Sequence, residues 1–276
     1  MILHTPYTIR SRRHNVLCGH VLCTLVAFLV ASQLERTTVR AADDPLPKAE
    51  EILDQYVEVS GGKAAYEKLH NRATKGTLDF VTTGIKATVT TYSAEPDKMR
   101  TIIESPAIGK VEEGTDGEIA WELSLMTGPR IKEGDEKATT MRAAAFDSTV
   151  NWRKQYDKAE CAGVETVEDK PCHKVILTPA TGMPETHYYE QESGLLVKMN
   201  QTIKSPMGVI PVETLLSDYK KVDGILIPHT IRQFLAGQEL VVRSQSIQHN
   251  VETPADRFEL PAEVKALVDK SKATGD

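Results

Sequence analysis

The sequence predicts a mainly β, α+β chain: a single curved antiparallel sheet forming an open half-barrel, with N-terminal and mid-chain helices as its lid. Three observations carry this reading. After Arg72 apolar and polar side chains alternate with period two, the pattern of antiparallel strands with one face on a core. After residue 158 such runs return at ~10–15-residue spacing, separated by short polar turns, most of them ending in Gly, that signal hairpins. A helical period occurs only at the front of the chain and in one insertion at 133–145. About ten to eleven strands follow, and a sheet that wide tends to curl, leaving a concave face for helices to close.

At the front, Asp43-Asp44-Pro45-Leu46-Pro47 is a short acidic lead. Ala49, Ile52, Leu53, Tyr56 and Val57 then recur at helical spacing, and Ser60-Gly61-Gly62 ends that helix. Residues 63–70 predict a second short helix with Ala64, Ala65 and Leu69 inward. Leu78 and Phe80 alternate with Thr77 and Asp79, and Ile85, Ala87 and Val89 with Lys86, Thr88 and Thr90. Ile119, Trp121, Leu123 and Leu125 alternate with Glu118, Ala120, Glu122 and Ser124, the clearest strand of the chain. Residues 133–145 form the helical insertion, and 149–156 extend it. Lys158–Val167 and Lys170–Thr178 predict a hairpin turning at Glu168-Asp169. Later turns fall at Ala180-Thr181-Gly182, Glu192-Ser193-Gly194, Pro206-Met207-Gly208, Val222-Asp223-Gly224 and Ala236-Gly237. Phe258 packs at the close of the sheet, and residues 264–271 fray into solvent.

The chain has 276 residues, 40% apolar and 26% charged, an ordinary globular composition that excludes disorder, collagen and a multi-span membrane protein. Asp and Glu outnumber Lys and Arg by 39 to 33, which argues against a nucleic-acid partner. Residues 1–20 carry Arg10, Arg12 and Arg13 and no acid; an apolar run from Val21 to Ala31 follows, and then Val39-Arg40-Ala41. This is the layout of a secretory signal peptide cut after Ala41. The expected organisation is therefore a signal at 1–41, one open-barrel domain at 42–262 and a C-terminal tail at 263–276. The product is exported to the periplasm or secreted, with no transmembrane span once the signal is cut. Its 235 residues carry 28 basic and 38 acidic side chains, net −10. Cys161 and Cys172 remain. In the hairpin, 161 would face 176 and 172 would face 165, a ~13 Å offset that disfavours a disulfide and leaves two half-buried thiols.

Catalytic signatures are scarce. Ser60-Gly61-Gly62-Lys63 and Ser217-Asp218-Tyr219-Lys220 both spell S-x-x-K, yet neither precedes a helix as that nucleophile motif requires. No G-x-S-x-G, H-E-x-x-H, G-K-[ST] or C-x-x-C occurs. Glu185 and His187 share a strand face, but two ligands do not fix a metal. Neither an enzyme nor a cofactor is expected.

The helix Ile52-Leu53-Asp54-Gln55-Tyr56 ending at Gly61-Gly62, the run Gly76-Thr77-Leu78-Asp79-Phe80, and residues 189–196 recur in a known layout. Pro211-Val212-Glu213-Thr214, Asp218-Tyr219, Val222-Asp223-Gly224 and Phe258-Glu259-Leu260-Pro261 complete it, over about residues 48–260. The chain resembles the outer-membrane lipoprotein carrier and sorting family, the Lol-type periplasmic chaperones, and their secreted bacterial relatives. The resemblance implies an open barrel, lidded by helices, that holds acyl chains of lipids or lipoproteins in a hydrophobic cavity. The candidate cavity wall is Leu78, Phe80, Ile85, Val89, Trp121, Leu123, Met141, Val212 and Leu216. Met99, Met126, Met141, Met199 and Met207 add deformable surface. The alternative is a non-catalytic envelope module with a filled core, binding an envelope protein through outer-face acids such as Glu112, Glu113, Glu118 and Glu122. A continuous channel separates these two readings; a nucleophile and base within ~3 Å in a buried cluster would instead indicate a hydrolase.

Overall fold

The computed structural model describes residues 45–205 and 208–274. The signal segment read at 1–41, its cleavage point, and Pro206-Met207 lie outside them.

Thirteen strands form one antiparallel sheet. In chain order they are β1 (Asn71–Phe80), β2 (Ile85–Ala94), β3 (Lys98–Ser105), β4 (Gly109–Thr115), β5 (Ala120–Ser124), β6 (Gly128–Ile131), β7 (Lys158–Val167), β8 (Lys170–Thr178), β9 (Glu185–Glu190), β10 (Leu196–Ser205), β11 (Gly208–Val222), β12 (Ile225–Leu235) and β13 (Gln238–His249). The order across the sheet is β6-β5-β4-β3-β2-β1-β13-β12-β11-β10-β9-β8-β7. It consists of two meanders joined where β1 pairs with β13, and the sheet is open, with β6 and β7 as its edges. The open curved sheet agrees with the sequence; the strand count exceeds it. The strands the sequence does not mark are β3, β4 and β6: β4 carries charge on both faces (Lys110 and Glu112 on one, Glu113 on the other), β6 is only four residues long, and in β3 Ile102 shares a face with Lys98, Arg100 and Glu104.

The helices are α1 (Ala49–Val59), α2 (Lys63–Tyr66), α3 (Gly134–Ala144), α4 (Trp152–Gln155) and α5 (Ala262–Thr274), with a 3-10 turn at Ala255–Phe258. The apolar stripe of α1 buries Ile52, Leu53 and Val57 against Trp152, Val175, Leu177, Tyr189, Leu196 and Leu216, the main core. The helix ends where Gly61, at φ 145°, lies flat on the β11–β12 turn: a Cβ there would stand 2.8 Å from the Gly224 carbonyl oxygen. The Ser60 carbonyl accepts the Leu226 amide at 2.6 Å, so the helix end is tied to the sheet. The second helix is only one turn; Ala64 is exposed, and of its predicted inward residues only Leu69 is fully buried. α3 matches the predicted insertion, and α4 is a separate turn.

Two corrections concern the C-terminal third and β5. Residues 264–271 do not fray: they lie in α5, whose Val264 is fully buried and which packs on β5 and β6. Arg100 Nη1 donates to the Arg257 carbonyl at 3.3 Å, and the Arg257 guanidinium lies 4.3 Å from the Tyr92 ring centroid. Arg100 and Tyr92 point away from the concave face, so this closing segment covers the convex one. Trp121 and Leu123 share that convex side, since Trp121 pairs with Gly114 and Ile131 while Glu122 pairs with Glu113 and Arg130. The apolar set of β5 thus faces α5, and its polar set faces the concavity. The predicted outer-face acids Glu113 and Glu122 are inward, and Glu112 is buried beneath Arg100 and Lys110.

The β7–β8 hairpin forms as predicted, with Cys172 facing Glu165. A bulge between Cys161 and Gly163 shifts the register so that Cys161 faces Val175. Both thiols are free, Cys172 wholly buried and Cys161 partly so.

Candidate ligand cavity

Between α3 and the concave face lies a cavity of about 750 Å³. Its apolar wall is Leu53 and Tyr56 from α1, Leu177, Leu196, Met199, Ile203 and Ile210 from the sheet, with Trp152 at its edge. The α3 helix bridges the two meanders, packing on β4 and β5 on one side and on β10 on the other. Its tethers are polar. Arg142 Nη2 contacts Glu185 at 3.0 Å and Nη1 donates to the Thr181 carbonyl at 2.7 Å; Glu136 accepts from Arg130 at 2.6 Å; Lys204 bonds Asp135. Thr115 Oγ1 contacts the Met141 sulfur at 3.2 Å beneath the helix.

Two polar groups interrupt the apolar wall. Arg130 bonds Glu122 and Glu136, and Lys132 Nζ lies 2.7 Å from Glu113. Across the cavity, Glu185 accepts from Arg142, from Tyr156 Oη at 3.0 Å and lies 3.3 Å from His187 Nε2; His187 Nδ1 lies 3.2 Å from Tyr189 Oη. Burial by itself raises the Glu185 pKa, but the His187 bond and charge, the Arg142 charge and the Tyr156 hydroxyl outweigh it and hold the carboxyl down to about 2. Burial, then the Glu185 charge, pushes the Tyr156 phenol up, so it stays a protonated donor. Charge inside the cavity is therefore paired, which is how buried ions are tolerated. Among the described residues the hydrogen-bond partners of His187 are Glu185 and Tyr189, neither of them a nucleophile of the Ser, Thr or Cys type. Ser60 does precede a helix, α2, contrary to expectation. Its hydroxyl donates to the Val57 carbonyl and accepts from Tyr66, while Lys63 pairs with Glu67 on the surface, so no base addresses it. No group of three His, Cys, Asp or Glu among the described residues is arranged to hold a metal.

The nine residues expected to line a cavity are not on this wall. By register, Leu78, Phe80, Ile85, Val89, Val212 and Leu216 do lie on the concave side, along its central strands, with Leu216 in the α1 core. Met141 projects from α3 onto Thr115. Trp121 and Leu123 lie on the opposite face. The sequence did not single out the polar wall of Arg130, Lys132, Arg142 and Tyr156, and it offered Glu185 and His187, which complete that wall, only as metal ligands. A signal existed, since Glu185 with His187 and Arg130 with Lys132 are like-faced polar pairs spaced two apart.

No family model matches the chain, and no curated protein matches it either. Solved structures do. A DUF1329 family protein from Desulfovibrio piger aligns over 79% of this chain and 100% of its own, at 15% identity and a TM-score of 0.54. A LolA superfamily protein from Nitrosomonas europaea aligns over 78% of this chain and 99% of its own, at 13% identity and a TM-score of 0.53. The chain has a LolA-type fold. A Vibrio parahaemolyticus domain assigned to outer-membrane lipoprotein sorting shares the architecture at 10% identity and a TM-score of 0.52, over 76% of this chain and 97% of its own. Within this fold the cavity lies under the helices that cover the concave face.

Proposed function

We propose that this protein is an exported, non-catalytic carrier or binder of an amphiphile, a lipid or lipoprotein acyl chain held between α3 and the concave face. The carrying observation is the cavity of about 750 Å³, a size suited to a small organic ligand, with an apolar wall and internally paired charges. Paired charges offer hydrogen bonds to a polar head without demanding a counter-ion. The apolar wall takes the chain, each buried CH₂ contributing about 0.8 kcal/mol. Half-buried Phe80, Ile85 and Val89, over buried Leu78 and Val212, extend that apolar surface along the concave face for the rest of the acyl chain. The LolA-type fold and the lipoprotein-sorting domain that shares it support the same reading. Export and a periplasmic setting rest on the signal-like segment at 1–41.

The test is organic extraction of the purified protein followed by mass spectrometry, with titration of a fluorescent fatty acid. A stoichiometric lipid, and affinity reduced about tenfold or more in Ile210→Asp, is the expected result, since a carboxylate would be desolvated beside the chain. A lipid-free protein that also ignores the fatty acid would overturn the reading in favour of an envelope interaction module.

A further inference from the structure

The two ends of the sheet differ in chemistry. Among the described residues five hairpin connections reach one end: 81–84, 106–108, 125–127, 179–184 and 236–237. None of their residues is charged; the long β6–β7 connection arrives beside them at the β7 edge with Asp157. Five connections reach the other end: 95–97, 116–119, 168–169, 191–195 and 223–224. These hold Glu95, Asp97, Asp116, Glu118, Glu168, Asp169, Glu192 and Asp223, and no Lys or Arg. The four most exposed large apolar side chains among the described residues, Met126 (90%), Leu125 (82%), Val209 and Val81, all stand at the uncharged end. The cavity runs toward the same end. Thr127, in one of its loops, is on the cavity wall, as is the Ile203–Ile210 pair near that end of β10 and β11. On the α1 side the cavity is walled where Leu53 and Tyr56 meet Tyr189 and Leu196.

We infer that the uncharged end docks on a lipid bilayer, inserting the loop tips around Val81, Leu125-Met126 and Val209 into its interface. This rests on the amphiphile-binding reading and adds the place where the ligand enters and leaves. Three observations select a bilayer as the occupant. Loops free of charge enter the interfacial region without desolvating an ion, whereas the acidic end would be repelled by anionic headgroups. The apolar tips are spread across separate hairpins: from β5 to β11 is about 33 Å along the sheet at ~4.8 Å per strand. A protein partner concentrates its anchors in one packed cluster, while a fluid surface accepts separated side chains without shape complementarity. Last, an acyl chain moving along the concave face past Phe80 and Ile85 would reach hydrocarbon without crossing water.

The experiment is sedimentation of the purified protein with phosphatidylethanolamine–phosphatidylglycerol vesicles, alongside fatty-acid titration in the absence of vesicles. The parent protein should pellet with vesicles. The double variant Leu125→Asp, Met126→Asp should lose about tenfold or more of that partitioning while its fatty-acid affinity stays within about twofold, because both side chains are mostly exposed and neither lines the cavity. Val164→Asp, an exposed apolar position on β7 away from this end, should change neither. Failure of the parent to pellet, partitioning unchanged in the double variant, or an equal loss in Val164→Asp overturns the docking inference. Absence of fatty-acid binding in a parent that pellets overturns the cavity reading and leaves the docking one supported.

Discussion

At Glu185 two effects oppose each other: removal from water favours the protonated acid, and the charges and donors of His187, Arg142 and Tyr156 favour the carboxylate. The second wins, and the folded-state value of about 2 lies below the ordinary 4.5. Its contribution to stability is therefore fully present above the ordinary value and is lost as pH falls through 4.5 toward 2, where the unfolded chain binds more protons than the folded one. Glu185→Gln should flatten the acid limb of the stability–pH curve in that window, by a few kcal/mol at most, as read by urea unfolding at successive pH values. A curve of unchanged shape would mean that other carboxylates carry the acid sensitivity. The sequence made Glu185 and His187 visible as neighbours on one face, and no more. Arg142 and Tyr156 come from 43 and 29 residues away, brought in by α3 and the segment after α4, and such meetings leave no trace in local periodicity.

Among the elements, β5 shows where pattern reading stops. Alternation correctly marked a strand, but it marks two faces and does not say which one is the cavity. The apolar face of β5 was free to turn outward because α5 lies there to cover it, and α5 itself carries too few apolar residues to stand out in sequence. Its Val264 has no exposed surface, so Val264→Asp should cost roughly 3–5 kcal/mol, lower the urea midpoint and shift Trp121 fluorescence toward that of a solvated indole. A tail lying free in solvent would give no change. By contrast α1, the Ser60-Gly61-Gly62 stop, the α3 insertion and the β7–β8 hairpin were all legible, since each is set by a helical stripe or a turn within a few residues. The edges follow the same local logic. β6 is four residues long and packed by α5, while β7 carries Lys158, Glu160, Glu165 and a bulge, devices that discourage pairing with another sheet.

For the whole molecule the decisive feature is the join of β1 to β13 in the middle of the sheet. Each meander is built from neighbours in sequence, but the join brings together residues 180 apart, with His70 and Asn71 bonded to Asn250 and Val251. Loop-closure entropy makes such contacts the slowest to form, so refolding followed by fluorescence should extend toward seconds. A chain ending at residue 237, which lacks β13, should unfold without a single cooperative transition. Rapid two-state behaviour in that shortened chain would show that the meanders are autonomous. Read against the direction of synthesis, the consequence is one of timing. The strand that completes the centre of the half-barrel is the last of the thirteen to be made, so the two flanking walls can exist long before there is a floor between them. The concave face is whole only once β13 has been made, and until then the chain has two walls with a gap between them.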